Sequence, residues 1–291
     1  MHIRLRNPKL FQFTILHLIY HHEQTQPLSS NFFRSKTISK LYAMKTFEEI
    51  FLEWHKEFPF LKKYSPSTIY QKVGPFLLGL KINKPWGNNY RIYLEIMPLW
   101  LTERKKFGSV FVSDELWDKK GRQIIINYRH HDLDFKEALE DAKRQFGLVL
   151  MSEIPLNNLI EYIESTSERE LGFKHLKQLG KSLIFELELA IAVYLNKKEM
   201  YDDVWESIIK DSSKWDAEYF HKWTKLTIDE WKESMHSRFD NRDKFMETVE
   251  WNYQRPRVAK LNTAHITRVD EYTEYIPKLS WRERLRSFFS K

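Results

Sequence analysis

Residues 76–97 read FLLGLKINKPWGNNYRIYLEIM and predict a β-hairpin. Two apolar segments, 76–82 and 90–97, flank seven residues rich in Pro, Gly and Asn, which favour turns. Side chains alternate between the two faces of a strand, so the second segment has one apolar face and one mixed face. The apolar face consists of Tyr90, Ile92, Leu94 and Ile96. The mixed face, which we expect to be at least half exposed to solvent, consists of Arg91, Tyr93, Glu95 and Met97.

Two further strands are expected downstream of the hairpin. Residues 110–112 and 123–128 are rich in β-branched and aromatic side chains, and the sequence DKKGR at 118–122 is typical of a turn. Consecutive strands without an intervening helix pair antiparallel, because parallel neighbours need a long crossover connection. The pattern therefore predicts an antiparallel meander rather than a βαβ unit.

Helices are expected in the second half of the chain. After Asp134 the apolar period changes from two to about 3.6 residues, and Asp134 itself is expected to cap the first helix. Residues 183–195 are apolar nearly all round, which predicts a buried central helix among five or six in this half. The sequence thus predicts an α+β fold, in which a small antiparallel β-meander is followed by a mainly α-helical C-terminal half.

Charge divides the chain into unlike parts. Residues 1–43 carry six Lys or Arg and one acid, whereas the rest of the chain carries 41 basic and 39 acidic residues. We expect residues 44–134 to hold a helix and the sheet, and residues 135–291 to form the helical half, either separately or as one domain with the sheet. The leader, residues 1–43, fits three interpretations: a true start at Met44, a mitochondrial targeting peptide or an N-terminal arm.

Composition excludes several classes of function. The chain has no cysteine, which rules out disulfides, thiolate nucleophiles and zinc–cysteine sites, and a reducing compartment such as the cytoplasm fits. The near-neutral balance after residue 43 gives no specific nucleic-acid signal. Nucleotide-binding glycine motifs do not occur, and no apolar stretch is long enough to span a bilayer. We expect no resident cofactor, with a divalent metal as the one alternative.

The candidate catalytic residues lie at a strand end. His130, His131 and Asp132 follow the last predicted strand, and such side chains bind Zn²⁺, Mn²⁺ or Fe²⁺. In an extended segment, His130 and Asp132 would point the same way and His131 the other, so His130 and Asp132 are the candidate metal ligands. A metal-dependent hydrolase or nuclease centred on this loop is one interpretation. The other is a solvated loop that leads into a helix cap.

Two surfaces suggest a partner protein. The mixed face of the hairpin and the C-terminal residues 278–291 are rich in the Arg, Tyr, Trp and Met side chains that are enriched at interfaces. The candidate interaction residues are Trp86, Arg91, Tyr93, Met97, Trp100, Trp281, Arg284 and Phe288. The alternatives are that the helices cover the mixed face, and that residues 278–291 contact a membrane surface or dock within the chain. We therefore expect a non-enzymatic interaction protein of the immunity, inhibitor or adaptor type, from a bacterium or phage, with another protein, possibly an acidic one, as its partner.

Overall fold

The hairpin expected from residues 76–97 is the centre of the sheet in the computed structural model, which describes residues 44–84, 87–101, 110–169 and 174–267. The strands are β1 (Lys62–Ser65), β2 (Thr68–Val73), β3 (Phe76–Asn83), β4 (Asn89–Pro98), β5 (Val112–Glu115), β6 (Ile126–Asn127), β7 (Glu153–Pro155) and β8 (Thr263–Thr267). The helices are α1 (Phe47–Glu57), α2 (His131–Phe146), α3 (Leu156–Arg169), α4 (Lys174–Tyr194), α5 (Lys198–Ser212), α6 (Ala217–Thr224), α7 (Ile228–Phe239), α8 (Arg242–Tyr253) and α9 (Pro256–Ala259). This arrangement confirms the α+β class.

The antiparallel meander is confirmed for β2 to β5, in which each strand pairs with the next. The strand expected at 123–128 is shorter than predicted, because only β6 pairs with β4 and Tyr128 already begins a 3-10 turn. The turn at 118–122 is confirmed, since the Asp118 carboxylate accepts hydrogen bonds from the backbone N–H groups of Lys120 and Arg122.

Two parallel pairings at the edge of the sheet were not predicted. The strand β8 pairs parallel with β2, and β7 pairs parallel with β8, which gives the order β5-β4-β3-β2-β8-β7. Both strands are short, at three and five residues, so neither shows a clear period in the sequence. The last described strand therefore lies inside the sheet rather than after it.

The first face of the sheet, which carries Ile92 and Leu94, is covered by α1, α2 and α3. Trp54 of α1 donates a hydrogen bond to the Tyr90 hydroxyl at 3.3 Å. Tyr162 of α3 and Gln145 of α2 both donate to the Asp114 carboxylate, which lies opposite Leu94. This face is the apolar one that the alternation in residues 90–97 predicted.

The helical half packs around α4, as the apolar run at 183–195 predicted. Residues 187 and 189–193 of this helix are buried, and Trp215, Phe220 and Trp231 form an aromatic cluster beside it. A capping box begins α7, with the side chains of Thr227 and Glu230 bonded to each other's backbone N–H groups. Seven helices of eight or more residues follow β6 in the described part of the chain, more than the five or six expected.

Candidate functional site

The segment that holds His130, His131 and Asp132 is helical, so the extended geometry expected for it is wrong. A 3-10 turn spans Tyr128–His130 and α2 begins at His131, so Asp134 lies within the first turn and is not the cap. Successive residues on a helix diverge by about 100° rather than 180°. His131 points into the core at 1% exposure, whereas His130 is exposed.

The buried His131 is the centre of a polar network that we call the histidine cluster, which it forms with Tyr90, also buried, and with Lys45, Glu53 and Asp132, which are partly or fully exposed. Its Nε2 lies 2.6 Å from Glu53 Oε2, and its Nδ1 lies 2.7 Å from the Tyr90 hydroxyl. The ionised Glu53 carboxylate only accepts, so Nε2 of His131 carries a proton and donates it to Glu53. The Tyr90 oxygen accepts from the indole N–H of Trp54, and in the neutral imidazole the Tyr90 O–H donates to Nδ1.

A cation already occupies the acidic side of the histidine cluster. The Lys45 ammonium donates to Glu53 Oε1 at 2.6 Å and forms an ion pair with Asp132. Burial opposes the charge of Lys45, but hydrogen bonds to both carboxylates raise the pKa of its ammonium overall. Burial likewise would raise the pKa of Glu53, yet hydrogen bonds from Lys45 and His131 hold it below the usual value. The two charged forms therefore stabilise each other.

The donor set of a metal site is nevertheless close together. One ligand atom from each of Glu53, His131 and Asp132 lies within 4.8 Å of the other two. Zn²⁺ binds such atoms at about 2.0–2.2 Å, and requires an unprotonated histidine nitrogen. A metal would therefore have to displace the Lys45 ammonium and the Nε2 proton together. The sequence identified His131 and Asp132, but it missed Glu53, and His130 is not part of the group.

Aromatic rings enclose the histidine cluster. The Phe135 ring lies 4.8 Å from the His131 ring, and Tyr128 stacks on Tyr90 at 5.8 Å between centroids. Burial raises the pKa of the Tyr90 hydroxyl, which therefore stays protonated and keeps its role as a donor. The cluster thus joins α1, β4 and α2 through satisfied hydrogen bonds.

The second face of the sheet carries the candidate interaction residues of β4, and the helices cover one end of it. Met97 and Trp100 are only 3% and 4% exposed. The Trp100 indole donates to Glu186 Oε1 at 3.1 Å, and its ring contacts Phe239 of α7. Met97 and Trp100 therefore belong to the core of this chain. We call the rest of the second face, where Arg91 and Tyr93 are half-buried, the open half.

The expectation that all of the mixed face is at least half exposed is wrong at Glu95 as well. Glu95 is 2% exposed and accepts hydrogen bonds from the Tyr70 hydroxyl at 2.5 Å and from Lys81 at 2.9 Å. The Tyr70 ring reaches Glu95 by crossing Gly79, where an added Cβ would lie 2.6 Å from the ring. The same Cβ would lie 2.0 Å from the Ile69 carbonyl oxygen, so the close approach of β2 requires a glycine at position 79.

A second carboxylate of the open half, Glu115, is also used within the face. Glu115 lies opposite Tyr93 and forms an ion pair with Arg91 at 3.8 Å. Burial raises the pKa of Glu115, although hydrogen bonds from Tyr93 and the Arg91 charge oppose this effect. Burial and the Glu115 charge in turn raise the pKa of Tyr93 to about 12. Both acids of the open half thus contact its own cations and tyrosines.

The sequence contained a signal for this surface that residue motifs do not reveal. Residues 58–94 contain six Lys or Arg and no acid, and residues 251–267 contain three and no acid. At the chain average of 40 acids in 291 residues, the longer stretch would hold about five. The near-neutral total conceals this separation of charge.

No protein-family model matches the chain, and searches of characterised proteins and of solved structures find no similar protein. In the part that the structure describes, no helix is both long and apolar enough to cross a membrane. The predictions for residues 1–43, for Trp86 and for the segment 278–291 with Trp281, Arg284 and Phe288 lie outside the described residues. The candidate sites within the described residues are therefore the histidine cluster and the open half.

Proposed function

We propose that this chain is a non-enzymatic interaction protein of the immunity, inhibitor or adaptor type, which binds another protein through the open half of its sheet. The observation that carries the proposal is that Arg91 and Tyr93 of β4 are only half-buried, whereas Met97 and Trp100 on the same side are buried against the helices. Arg and Tyr are enriched at the centres of protein interfaces, and such residues dominate binding energy.

The contrast with the histidine cluster supports this choice. A catalytic base or metal ligand needs a free lone pair, but both nitrogens of His131 are engaged with Glu53 and Tyr90. The open half instead presents a surface of hairpin strands, whose backbone is held rigid by antiparallel pairing on both sides of β3. A rigid surface loses little entropy when it binds a partner.

The proposal can be tested by adding bulk to the open half without removing any bond. Ser113 lies opposite Glu95 on the second face and is half-buried, so Ser113→Trp should block docking there. Ser207→Trp is the matched control, because Ser207 is exposed on α5. The full chain and both variants would be immobilised, and bound proteins from a lysate would be quantified by mass spectrometry.

We expect at least one protein to bind the wild type and the Ser207→Trp variant, and to be lost from the Ser113→Trp variant. The partner would then be purified and its affinity measured by calorimetry for all three chains. Equal affinity for Ser113→Trp and the wild type, with both variants folded by circular dichroism, would reject the open half as the binding surface.

A metal-dependent hydrolase or nuclease is the second candidate function, and the approach of Glu53, His131 and Asp132 favours it. The test is the metal content of the full chain by elemental mass spectrometry, with Glu53→Gln as the comparison. This candidate requires about one equivalent of transition metal that the variant loses. The interaction proposal expects the same low metal content in both proteins, because Lys45 supplies the cation.

A further inference from the structure

We propose that the partner's contacting surface is acidic and docks on one basic surface, which the fold assembles from the two acid-free stretches. This inference rests on the proposed function and names the chemistry of the partner. The basic surface consists of Lys62, Lys72, Lys81, Arg91, Arg255, Arg257 and Lys260.

The fold brings the two stretches together at the β2–β8 junction. Lys72 of β2 lies opposite Thr263 of β8, and the Lys72 N–H donates to the Asn262 carbonyl at 2.8 Å. The Asn262 side chain donates in turn to the Phe60 carbonyl at 2.6 Å. Residues that are almost 200 positions apart in the chain therefore share one surface.

The pairing register assigns the cations of β1 to β4 to the second face. Lys62 lies opposite Tyr70, Tyr70 opposite Gly79, and Gly79 opposite Glu95, so these positions share a face. By the same alternation Lys81 lies opposite Tyr93 on that face. Lys63, the next residue of β1, lies instead over the Phe51 ring on the first side of the sheet.

The α8–α9 turn extends the basic surface next to β1. Tyr253, the last residue of α8, donates to the Gly74 carbonyl just after β2 at 2.5 Å, which places the turn against the sheet. Burial raises the pKa of the Tyr64 hydroxyl in β1, and the nearby charges of Arg257 and Arg255 lower it. The Tyr64 ring contacts Tyr70 of β2 at 5.2 Å between centroids. The arginines after α8 therefore lie beside the sheet and not on a remote helix.

Three cations of this surface have no acid to neutralise them. Lys62, Arg257 and Lys260 are exposed, and none forms an ion pair with a residue that the structure describes. Some exposed lysines elsewhere do have acidic neighbours, as Lys198 has Asp202 and Lys181 has Asp211. The two acids on the second face are already bonded within it, Glu95 to Lys81 and Glu115 to Arg91. The surface is thus positive towards solvent and attracts an acidic partner.

The aromatic rings of this surface favour an acidic protein over a nucleic acid. Single-stranded nucleic acids bind by stacking bases on bare aromatic faces. Here the Arg255 guanidinium covers one face of Trp251 at 4.6 Å, and the Lys72 ammonium lies 5.2 Å over the Tyr253 ring. The Tyr64 ring packs on Tyr70. The faces of Tyr64 and Tyr253 are thus partly occupied within the chain, and the exposed ring, Trp251 at 55% exposure, already carries a guanidinium on one face.

The test uses the full chain and three labelled probes, measured by fluorescence anisotropy. The probes are a peptide of about twelve alternating Glu and Tyr residues, the same peptide with Gln in place of Glu, and oligo-dT of about the same length. The charge-reversal variant is Lys62→Glu/Arg257→Glu/Lys260→Glu. The matched control is Lys210→Glu/Lys222→Glu/Lys244→Glu, which makes the same change in net charge at exposed positions on helices.

We expect the Glu peptide to bind the wild type and the control variant, and to bind the charge-reversal variant about tenfold more weakly. The Gln peptide should bind none of them, and raising the salt from about 50 to about 300 mM should weaken the Glu peptide. Any binding of oligo-dT should come from charge alone, so it should leave the tryptophan fluorescence unchanged and be lost at high salt.

Four results would overturn the inference. They are no binding of the Glu peptide, equal losses in the two triple variants, equal binding of the Gln peptide, and oligo-dT binding that quenches tryptophan fluorescence and survives high salt. A partner blocked by Ser113→Trp but bound equally by the charge-reversal variant would reject only the acidic docking surface. If Ser113→Trp weakens the binding of no partner, the proposed function itself is rejected.

Discussion

The histidine cluster and the basic surface both contain acids beside cations, but they differ in what is left over. In the cluster, one lysine contacts two carboxylates and both nitrogens of His131 have partners. On the basic surface, the carboxylates of Glu95 and Glu115 are bonded and three exposed cations remain. Residues of catalytic types that lie close in sequence thus need not form a catalytic site. An excess of one charge on one surface, by contrast, indicates a binding partner of the opposite charge.

The largest expected effect is that of His131→Ala, which breaks the histidine cluster. The substitution empties a buried site and leaves Glu53 and Tyr90 without a partner, so we expect the free energy of unfolding to fall by about 2–4 kcal/mol. Urea denaturation would measure it. His130→Ala, at the exposed neighbour, should change stability by less than about 0.5 kcal/mol. Equal effects at the two positions would contradict the structural role of His131.

Tyr90→Phe removes one hydroxyl from the same cluster. We expect a loss of about 1–2 kcal/mol, because the indole N–H of Trp54 and Nδ1 of His131 lose their buried partner. Tyr128→Phe is the matched control, since the Tyr128 hydroxyl is buried with no hydrogen-bond partner among the described residues. That change should be neutral or stabilising. Chemical denaturation of both variants decides whether the network, and not the ring, carries the stability.

The pH dependence of stability should have opposite signs at Glu53 and Glu115. The pKa of Glu53 is lower in the folded chain than its usual 4.5, so its contribution is present above that value and lost as the pH falls through the folded pKa. The pKa of Glu115 is raised, so its contribution is present below 4.5 and lost as the pH rises through the folded pKa.

The measurement is the stability difference between the wild type and each Gln variant from about pH 7 to about pH 3. The advantage of the wild type over Glu53→Gln should shrink on acidification. The free energy of unfolding of the wild type should instead rise relative to that of Glu115→Gln as the pH falls over the same range. If the stability differences for Glu53→Gln and Glu115→Gln change with pH in the same direction, the two acids do not have the opposite environments that their contacts indicate.

The smallest effect on stability is expected at the basic surface. The charge-reversal variant Lys62→Glu/Arg257→Glu/Lys260→Glu should unfold within about 0.5 kcal/mol of the wild type, because these exposed cations form no ion pair with a described residue. Thermal and urea unfolding would check it. A loss as large as that of His131→Ala would show that the basic surface is structural.

The sequence predicted the parts of the fold that depend on local chemistry. The hairpin and the turn at 118–122 are both present, because each depends on residues only a few positions apart. The parallel strands β7 and β8 were missed, since they are defined by pairing with residues far away in the chain. The helix start at His131 was placed four residues too late, because the 3-10 turn before it has no apolar period.

The candidate site shows the same limit. The sequence identified His131 and Asp132 because they are neighbours in the chain. Glu53 lies on α1 and Lys45 just before it, so only the tertiary fold shows that they contact His131 and Asp132. Arg91 and Tyr93 were recognised by residue type. The two acid-free stretches were missed, because the net charge of the chain after residue 43 is close to zero, and the β2–β8 pairing brings these stretches together on one surface. Met97 and Trp100 share that residue type, yet they are buried by the helical half.

The decisive measurement is the affinity of one purified partner for two variants of the full chain, by isothermal titration calorimetry. Lys45→Ala/Glu53→Gln disrupts the histidine cluster, and Lys62→Glu/Arg257→Glu/Lys260→Glu reverses the basic surface. We expect the first variant, where folded, to keep its affinity within about twofold, and the second to lose about tenfold or more. Loss of binding in the cluster variant, with binding retained in the surface variant, would show instead that the function depends on the cluster around His131.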